Sequence, residues 1–289
     1  MSPTALRRAV GLSALLIALS LLLGYVHAGG TFALWNGETA NKDSAFAAGW
    51  VGPATGLGTP TASGYGASLS WTPGTHGPVT GQQLYSVDGG TGASASCGTY
   101  TLAATMASAS TASYTAAGTS GANGHWWCYK LVSTSATAWT ASATFTPVRV
   151  GLVPLTVSIT NGNGTLASPD VVTITFNQSV NAVSGNRVCT FSGSSGTGTI
   201  LLGDSTCSTT SDAYTIGKLT GVSVGGTGHQ LSSATIARSG ATVTVSITQT
   251  GQTVSGTAAF TASTSVTSST GSVPACTASN CVVTATGGF

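Results

Sequence analysis

Apolar and polar residues alternate along most of the chain beyond residue 50, in short runs separated by glycine-rich turns. The clearest run covers residues 242–247, where Val243, Val245 and Ile247 alternate with threonine and serine. A period of two places the apolar residues on one buried face of a β-strand. No helical periodicity follows Val26, so the pattern predicts an all-β fold.

The same pattern predicts two tandem β-sandwich domains. Strands are expected in the first domain at 67–71, 79–87, 97–106, 110–116, 125–133 and 139–148. In the second domain they are expected at 155–159, 172–176, 187–191, 199–202, 214–224, 242–247, 258–262 and 282–286. Pro147 and Pro154 mark the ends of the connection. We therefore predict domains at 54–148 and 155–289, joined end to end by a short linker at 149–154.

Large aromatic residues supply the expected core of the first domain. Trp71, Tyr85, Trp127 and Tyr129 all lie within predicted strands. Together they are large enough to fill one sandwich core.

The first 28 residues have the parts of a secretory signal. Arg7 and Arg8 precede an uncharged apolar run at 11–26, and a small-x-Ala cleavage site ends at Ala28. This order is typical of a signal peptide, and the run is marginal for a membrane-spanning helix. A second cleavage site ends at Ala33. We predict a signal peptide at 1–28, with a retained membrane anchor as the alternative, followed by an extended segment at 29–53.

Residues 30–35, Gly-Thr-Phe-Ala-Leu-Trp, and 46–49, Phe-Ala-Ala-Gly, resemble the start of the camelysin/TasA-type secreted proteins. The sequence departs from that pattern at Gly37, where the family has an acidic residue, and at Ser44, where it has Asn. The resemblance implies cleavage after Ala33 by a dedicated signal peptidase. It also implies that the mature N-terminal strand can complete a neighbouring subunit's sheet in a fibre. The alternative is that this segment packs on its own domain. The candidate assembly residues are Leu34, Trp35, Phe46 and Trp50.

Two further resemblances concern the domains. Leu69-Ser70-Trp71-Thr72-Pro73, residues 83–87 and the alternation of Trp127, Tyr129 and Leu131 resemble a fibronectin type III domain over about 54–148. That family usually lacks a disulfide, so a bridge from Cys97 to Cys128 would be a departure. Residues 170–177, Asp-Val-Val-Thr-Ile-Thr-Phe-Asn, resemble bacterial Ig-like modules of surface proteins.

Charge is scarce. Only 5% of the residues are charged, against roughly 25% in ordinary soluble proteins. Without Arg7 and Arg8 the eight basic residues become six, against six acidic ones, so the mature formal net charge is zero. Nucleic-acid binding and electrostatic membrane binding both need clustered basic residues, and both are therefore excluded. Serine and threonine are expected on the solvent faces instead.

The six cysteines fall into three local pairs. Domain membership favours structural disulfides, which an exported protein can form. Six cysteines allow 15 pairings, so the pairing is an inference. Metal binding is the rival interpretation, but no CxxC motif occurs. The expected pairs are Cys97 with Cys128, Cys189 with Cys207, and Cys276 with Cys281.

No convincing catalytic constellation is found, so the chain is not predicted to be an enzyme and no cofactor is expected. Residues 221–225 fit the Gly-x-Ser-x-Gly pattern around Ser223, but the glycines that follow cannot open the helix of a nucleophile elbow. The six acidic residues show no pair that indicates a glycosidase cleft.

The sequence thus predicts a secreted or cell-surface structural or adhesive protein that acts through protein–protein contacts. Its partners would be other subunits or cell-surface components. The alternative is an extracellular carbohydrate-binding protein, since an exposed tryptophan on a sandwich can stack on sugar rings. Trp126 is the candidate sugar contact, because Trp127 has the inward phase of the strand.

Overall fold

The computed structural model describes residues 51–77, 79–136, 139–193, 197–204, 206–209, 214–226, 229–248 and 252–289. These residues hold eighteen β-strands, two single-turn 3-10 helices (Ser120–Ala122 and Ser279–Cys281) and no α-helix. The predicted all-β fold of antiparallel sheets is confirmed. The predicted signal peptide and residues 29–50 lie outside the described residues.

The first sandwich packs a three-stranded sheet against a five-stranded one. The strands are β1 (Thr61–Ser63), β2 (Gly66–Ser70), β3 (Val79–Gly90), β4 (Thr101–Met106), β5 (Ser113–Ala116), β6 (Trp126–Ser135), β7 (Thr140–Thr144) and β8 (Val148–Arg149). The strand order is β1-β2-β5 in the first sheet and β4-β3-β6-β7 in the second, where β8 also pairs with β6. Every pairing in both sheets is antiparallel.

Trp71 lies in the core of this sandwich and contacts both sheets. Its ring meets that of Phe145 edge-on, with centroids 6.1 Å apart. Its indole Nε1 donates a 2.6 Å hydrogen bond to Oε1 of Gln82 in β3. The Gln82 amide, 1% exposed, in turn donates to the carbonyls of Ala109 and Thr111. One buried polar side chain therefore joins the two sheets and fixes the 107–112 connection.

Tyr85 does not lie in this core, so that part of the predicted core is wrong. Strand β3 buries Leu84 and Gln82, and Tyr85 is on the opposite face of the sheet. There the Lys130 ammonium lies 5.2 Å from the centroid of the Tyr85 ring. Leu84 pairs directly with the buried Leu131, and this register sets the phase of β3. Of the other predicted aromatics, Trp71 and Tyr129 belong to the core cluster, and the partly buried Trp127 packs against it.

The second sandwich is one continuous sheet folded over itself. Its strands are β9 (Pro154–Thr160), β10 (Val171–Phe176), β11 (Arg187–Ser192), β12 (Gly198–Asp204), β13 (Tyr214–Val224), β14 (His229–Ser239), β15 (Thr242–Ile247), β16 (Val254–Ser255), β17 (Ala259–Ala262) and β18 (Val283–Thr284). The strand order is β18-β17-β13-β12-β11-β14-β15-β10-β9, and β16 pairs with β13.

Strand β14 makes the fold-over possible because it belongs to both layers. Its first half pairs with β11 as far as Ser233, and its second half pairs with β15 from Ala234 onward. The two ends of the sheet then meet, where Ser158 of β9 bridges Thr286 in parallel orientation. Thr286 accepts a 2.9 Å hydrogen bond from the amide of Ile159 and donates a 2.8 Å bond to Val157. The second sandwich is therefore closed like a flattened barrel.

The sequence pattern did not predict β1, β14 or the two-residue strand β16. Residues 229–239 mix serine, glutamine and alanine with few large apolar residues, so their alternation is weak. The strands with clean alternation are confirmed: Val172, Ile174 and Phe176 are buried together, as are Val243, Val245 and Ile247. Residues 214–224 form a single strand.

All three predicted disulfides are present. Their Cα–Cα distances are 5.8 Å for Cys97–Cys128, 5.4 Å for Cys189–Cys207 and 5.9 Å for Cys276–Cys281. Cys128 is fully buried although it lies on the outer face of the five-stranded sheet, opposite Tyr129. The first bridge therefore attaches the 91–100 loop to that outer face, as the alternation of β6 predicts.

We predict that Gln82→Met destabilises the protein by about 2–4 kcal/mol, because the Trp71 indole and two carbonyls lose their buried partner. Chemical denaturation at equilibrium measures this loss. Gln83→Met is the matched control, since Gln83 lies next to Gln82 on the opposite face, where its Oε1 accepts a bond from the Tyr85 hydroxyl. We expect it to cost less than about 1 kcal/mol. Equal costs for the two variants would show that the buried amide has no special role.

Candidate functional site

The candidate assembly residues of the N-terminal segment cannot be placed. Leu34, Trp35, Phe46 and Trp50 lie outside the described residues. The surfaces that such a segment or another partner would contact are described, and they divide into three features. These are the exposed aromatic residues, the junction between the two sandwiches, and the open sheet edges.

Trp126, the candidate sugar contact, is half-buried at the start of β6. Its indole Nε1 donates a 3.0 Å hydrogen bond to the carbonyl of Gly92. The Arg149 guanidinium lies over its ring, 5.9 Å from the centroid. One face of the ring is thus occupied by the protein itself, which reduces the platform that a sugar ring would need.

The other two tryptophans of this region differ sharply in exposure. Trp127 packs inward and stacks on Tyr129 with centroids 6.3 Å apart, as the alternation of β6 predicts. Trp139, at the start of β7, is 47% exposed. Its backbone carbonyl accepts a hydrogen bond from the amide of Ser135, which closes the β6–β7 turn. Trp139 therefore presents the larger aromatic surface to solvent.

Two amide side chains of the second sandwich hold the junction. Asn177 accepts a bond from the amide of Val153 and donates to the carbonyls of Arg149 and Gly151, each at 2.9 Å. Gln178 bonds both the amide and the carbonyl of Gly64, at 2.9 and 3.0 Å. Gly64 lies in the β1–β2 turn of the first sandwich. These two side chains therefore tie the second sandwich to two backbone segments, residues 149–153 and the turn at Gly64.

The other side of the junction centres on Arg149 and the third disulfide. Arg149 Nε donates to the carbonyl of Gly124 at 3.0 Å, and its Nη2 donates to the carbonyl of Asn280. The Cys276–Cys281 bridge packs against Gly124, where an added Cβ would lie 2.5 Å from the Cys281 sulfur. Gly124 also has a φ of +81°, so this close approach requires glycine.

The predicted linker is buried within this junction. Val150, Leu152 and Val153 are all 0% exposed. Val150 belongs to the core cluster of the first sandwich and Leu152 to that of the second. Residues 50–289 form one compact unit. The two sandwiches are therefore held in a fixed arrangement.

The two sandwiches differ in whether their outer strands are paired. The second sandwich joins its terminal strands through the pairing of Ser158 with Thr286. Among the described residues, the first sandwich leaves five outer strands, β1 and β5 in one sheet and β4, β7 and β8 in the other. Strand β8 contains Arg149, whereas the other four contain no charged residue and no proline. Charges and prolines are the usual means by which proteins prevent edge-to-edge pairing, so these edges are chemically open.

The two edges of the five-stranded sheet differ in regularity. Ala103 is an extra residue in β4, because Leu84 pairs with Ala104 while the next residue, Tyr85, pairs with Leu102. Such a bulge twists an edge and disfavours pairing. Strand β7 pairs with β6 without any shift of register. Leu102 in β4 is 53% exposed, so this edge still carries an apolar side chain.

No arrangement that indicates catalysis is found among the described residues. They contain no cluster of three or more His, Cys, Asp or Glu side chains that could hold a metal ion. Ser223 is exposed within strand β13, which continues past it instead of turning into a helix. His125 contacts Asp88 at 2.8 Å near the surface. No helix of this part of the chain is long and apolar enough to cross a membrane.

Asp170 is an acidic side chain that lies almost fully buried, at 1% exposed. Its Oδ2 accepts a 2.9 Å hydrogen bond from the amide of Ala167, which closes the turn before β10. Burial raises the pKa of this carboxyl above its ordinary value, and the bond from Ala167 lowers it by less. The geometry indicates a structural role in the turn.

Comparison with known proteins assigns no family. No protein-family model matches the chain. A search of curated proteins finds no match either.

We predict that Arg149→Ala destabilises the protein by about 2–4 kcal/mol, because it removes two charge-assisted hydrogen bonds and a cation–π contact. Equilibrium denaturation monitored by tryptophan fluorescence measures the change. Arg238→Ala is the control, since Arg238 is exposed at the end of β14. It should change stability by no more than about 0.5 kcal/mol. Similar losses in both variants would contradict the role given to Arg149.

We also predict a pH dependence from Asp170. Because its pKa is raised in the folded state, the folded protein binds a proton more readily than the unfolded chain. The contribution of this carboxyl to the free energy of unfolding therefore falls as the pH rises from 3.8, its ordinary pKa, through the raised pKa of the folded state. Denaturation of wild type and Asp170→Asn at a series of pH values measures the difference. The wild type should lose stability relative to Asp170→Asn as the pH rises, and a constant difference would exclude the effect.

Proposed function

We propose that this chain is a secreted or cell-surface structural protein that acts through protein–protein contacts. The observation that carries the proposal is the set of uncharged, open edges of the first sandwich, next to a second sandwich that is closed. A sheet edge binds a partner strand through its backbone, with affinity supplied by main-chain hydrogen bonds. An edge without charges or prolines places no barrier against such a strand.

Three further features support an extracellular structural role. Three disulfides suit an oxidising compartment, because reducing compartments keep thiols free. The buried junction holds the two sandwiches in one arrangement, as a spacer or subunit requires. A mature formal net charge of zero leaves little repulsion between copies.

Within this role, we propose that residues 34–50 add a strand to the sheet of a neighbouring subunit. The resemblance of residues 30–49 to the camelysin/TasA-type start supports this assignment. The segment directly precedes the first sandwich, where the amide of Gly52 bonds the carbonyl of His76. Repeating the contact from copy to copy would build a fibre, since a head-to-tail contact that does not close continues indefinitely.

Sugar binding through Trp126 stays a prediction from the sequence. The Arg149 stack on its ring gives no support to that function. It is therefore not carried further.

The proposed function predicts that the mature protein forms fibres and that removing residues 34–50 abolishes them while the monomer stays folded. The reason is that the trimmed chain keeps its acceptor edges but lacks the donor strand. Electron microscopy and sedimentation measure assembly, and circular dichroism with disulfide mapping checks the fold. A chain in which residues 34–50 are replaced by a glycine–serine segment of equal length is the matched control. Fibres that persist after trimming, or a wild type that never assembles, would refute the proposal.

A further inference from the structure

Strand β7 has a palindromic sequence. Residues 140–144 read Thr-Ala-Ser-Ala-Thr, symmetrical about Ser142. The strand is an outer strand of the five-stranded sheet, and it pairs only with β6 among the described residues. An edge that reads the same in both directions presents the same chemistry to an identical edge rotated by 180°.

The hydrogen bonds at both ends of β7 show which backbone groups are directed away from β6. The amide of Phe145 donates to Tyr129, and the amide of Ser135 donates to Trp139, so the odd-numbered residues bond β6. In an antiparallel pair, alternate residues direct their amide and carbonyl to opposite sides. Thr140, Ser142 and Thr144 therefore present their backbone groups at the open edge.

The side chains of the same three residues share one face. Thr144 pairs with Lys130 and Ser142 with Val132, both on the outer face of the sheet. Ala141 and Ala143 lie on the inner face and are small. A second β7 strand therefore meets hydroxyl groups on one side and methyl groups on the other, with no charge on either.

We propose that β7 pairs antiparallel with β7 of a second copy, about a two-fold axis through Ser142. Thr140 then lies opposite the partner's Thr144, and Ser142 lies opposite the partner's Ser142. A two-fold contact requires a self-complementary surface, which the palindrome supplies. Cross-strand threonine and serine pairs are favourable, and no like charges face each other. The five-stranded sheets of the two copies become continuous.

Strand β7 is the best edge for this contact for two reasons. Its register with β6 is regular, whereas β4 at the other edge of the same sheet has the bulge at Ala103. Trp139, 47% exposed, directly precedes the strand. In the antiparallel pair, one copy's Trp139 lies beyond one end of the paired segment and the other copy's Trp139 lies beyond the other end. Burying part of that ring adds apolar area to a contact made mainly by backbone groups.

The contact is small. A five-residue strand pair and two tryptophans bury less than the roughly 1,600 Å² of a standard interface. The dimer is therefore weak by itself and forms at high protein concentration. It does not depend on residues 34–50, so its outcome is separate from that of the proposed fibre contact. In a fibre it would join neighbouring filaments.

The first test places a cysteine on the proposed axis. In a hydrogen-bonded antiparallel pair the facing Cα atoms are about 5.5 Å apart, within the range that a disulfide spans. Ser142→Cys in the mature chain should therefore form a disulfide-linked dimer in a glutathione buffer. Thr105→Cys, exposed on the β4 edge, is the matched control. We expect several-fold more dimer from Ser142→Cys, with the three native disulfides intact by mass spectrometry. Equal dimer from both variants would overturn the proposal.

The second test removes one backbone donor without changing the fold. Ser142→Pro eliminates an amide that faces the open edge, so the β6–β7 hydrogen bonds remain, and proline is tolerated at such positions. Sedimentation equilibrium at high concentration should show weaker self-association for Ser142→Pro than for wild type and for the control Ser142→Thr. Unchanged association of Ser142→Pro would overturn the proposal.

Removing residues 34–50 tests whether that segment, and not a second copy, pairs with the open edge of β7. The trimmed Ser142→Cys chain should still give the linked dimer. If it dimerises only after trimming, residues 34–50 cover β7 in the same chain and the proposal for the full chain is wrong. If trimming abolishes the dimer, the contact needs that segment and the two-fold pairing is wrong. Loss of fibres together with retention of the dimer would support both proposals.

Discussion

Every β-strand has backbone hydrogen-bond donors and acceptors on both sides. The two sandwiches of this molecule differ in how the outer strands pair the backbone groups on their outer side. In the second sandwich the chain meets the constraint internally. Strand β14 passes from one layer to the other, and Thr286 joins β18 to β9. In the first sandwich the two sheets stay separate, and the outer strands have one edge without a strand partner among the described residues. The open edges of this part of the chain therefore belong to the first sandwich.

Buried and half-buried amide side chains make the connections between sheets and sandwiches that charged pairs make in other proteins. Gln82 joins the two sheets of the first sandwich through Trp71. Asn177 and Gln178 join the second sandwich to the backbone of the first. An amide has both donors and acceptors, so it satisfies several backbone groups without the desolvation cost of a buried charge. Arg149 is the exception, and its guanidinium is stacked on Trp126 and bonded to carbonyls.

The scarcity of charge also sets the character of the surface. On the outer face of the second sandwich, Thr173 lies between Ser158 on one side and Thr244 on the other. Such rows of hydroxyl groups remain hydrated, yet they repel a second copy weakly. The specificity of any contact would therefore come from backbone edges and shape.

The sequence by itself determined the strands with clean alternation, the absence of α-helix among the described residues, and the disulfide pairing. These depend on local patterns or on cysteines that are close in the chain and in the same domain. It did not determine β14, whose alternation is weak, or the phase of β3, where Leu84 and Tyr85 both fit an apolar position. Pairing with Leu131 decided that phase in favour of Leu84.

The tertiary structure alone decided which edges stay open and how the two sandwiches are joined. Asn177 and Gln178 read as ordinary polar residues after a strand, and nothing near them in sequence shows that Gly64 is their partner. The palindrome of β7 has meaning only once its outer position in the sheet is known. Strand pairing and sheet closure join residues far apart in the chain, so they follow from the packing of the whole molecule and not from any local pattern.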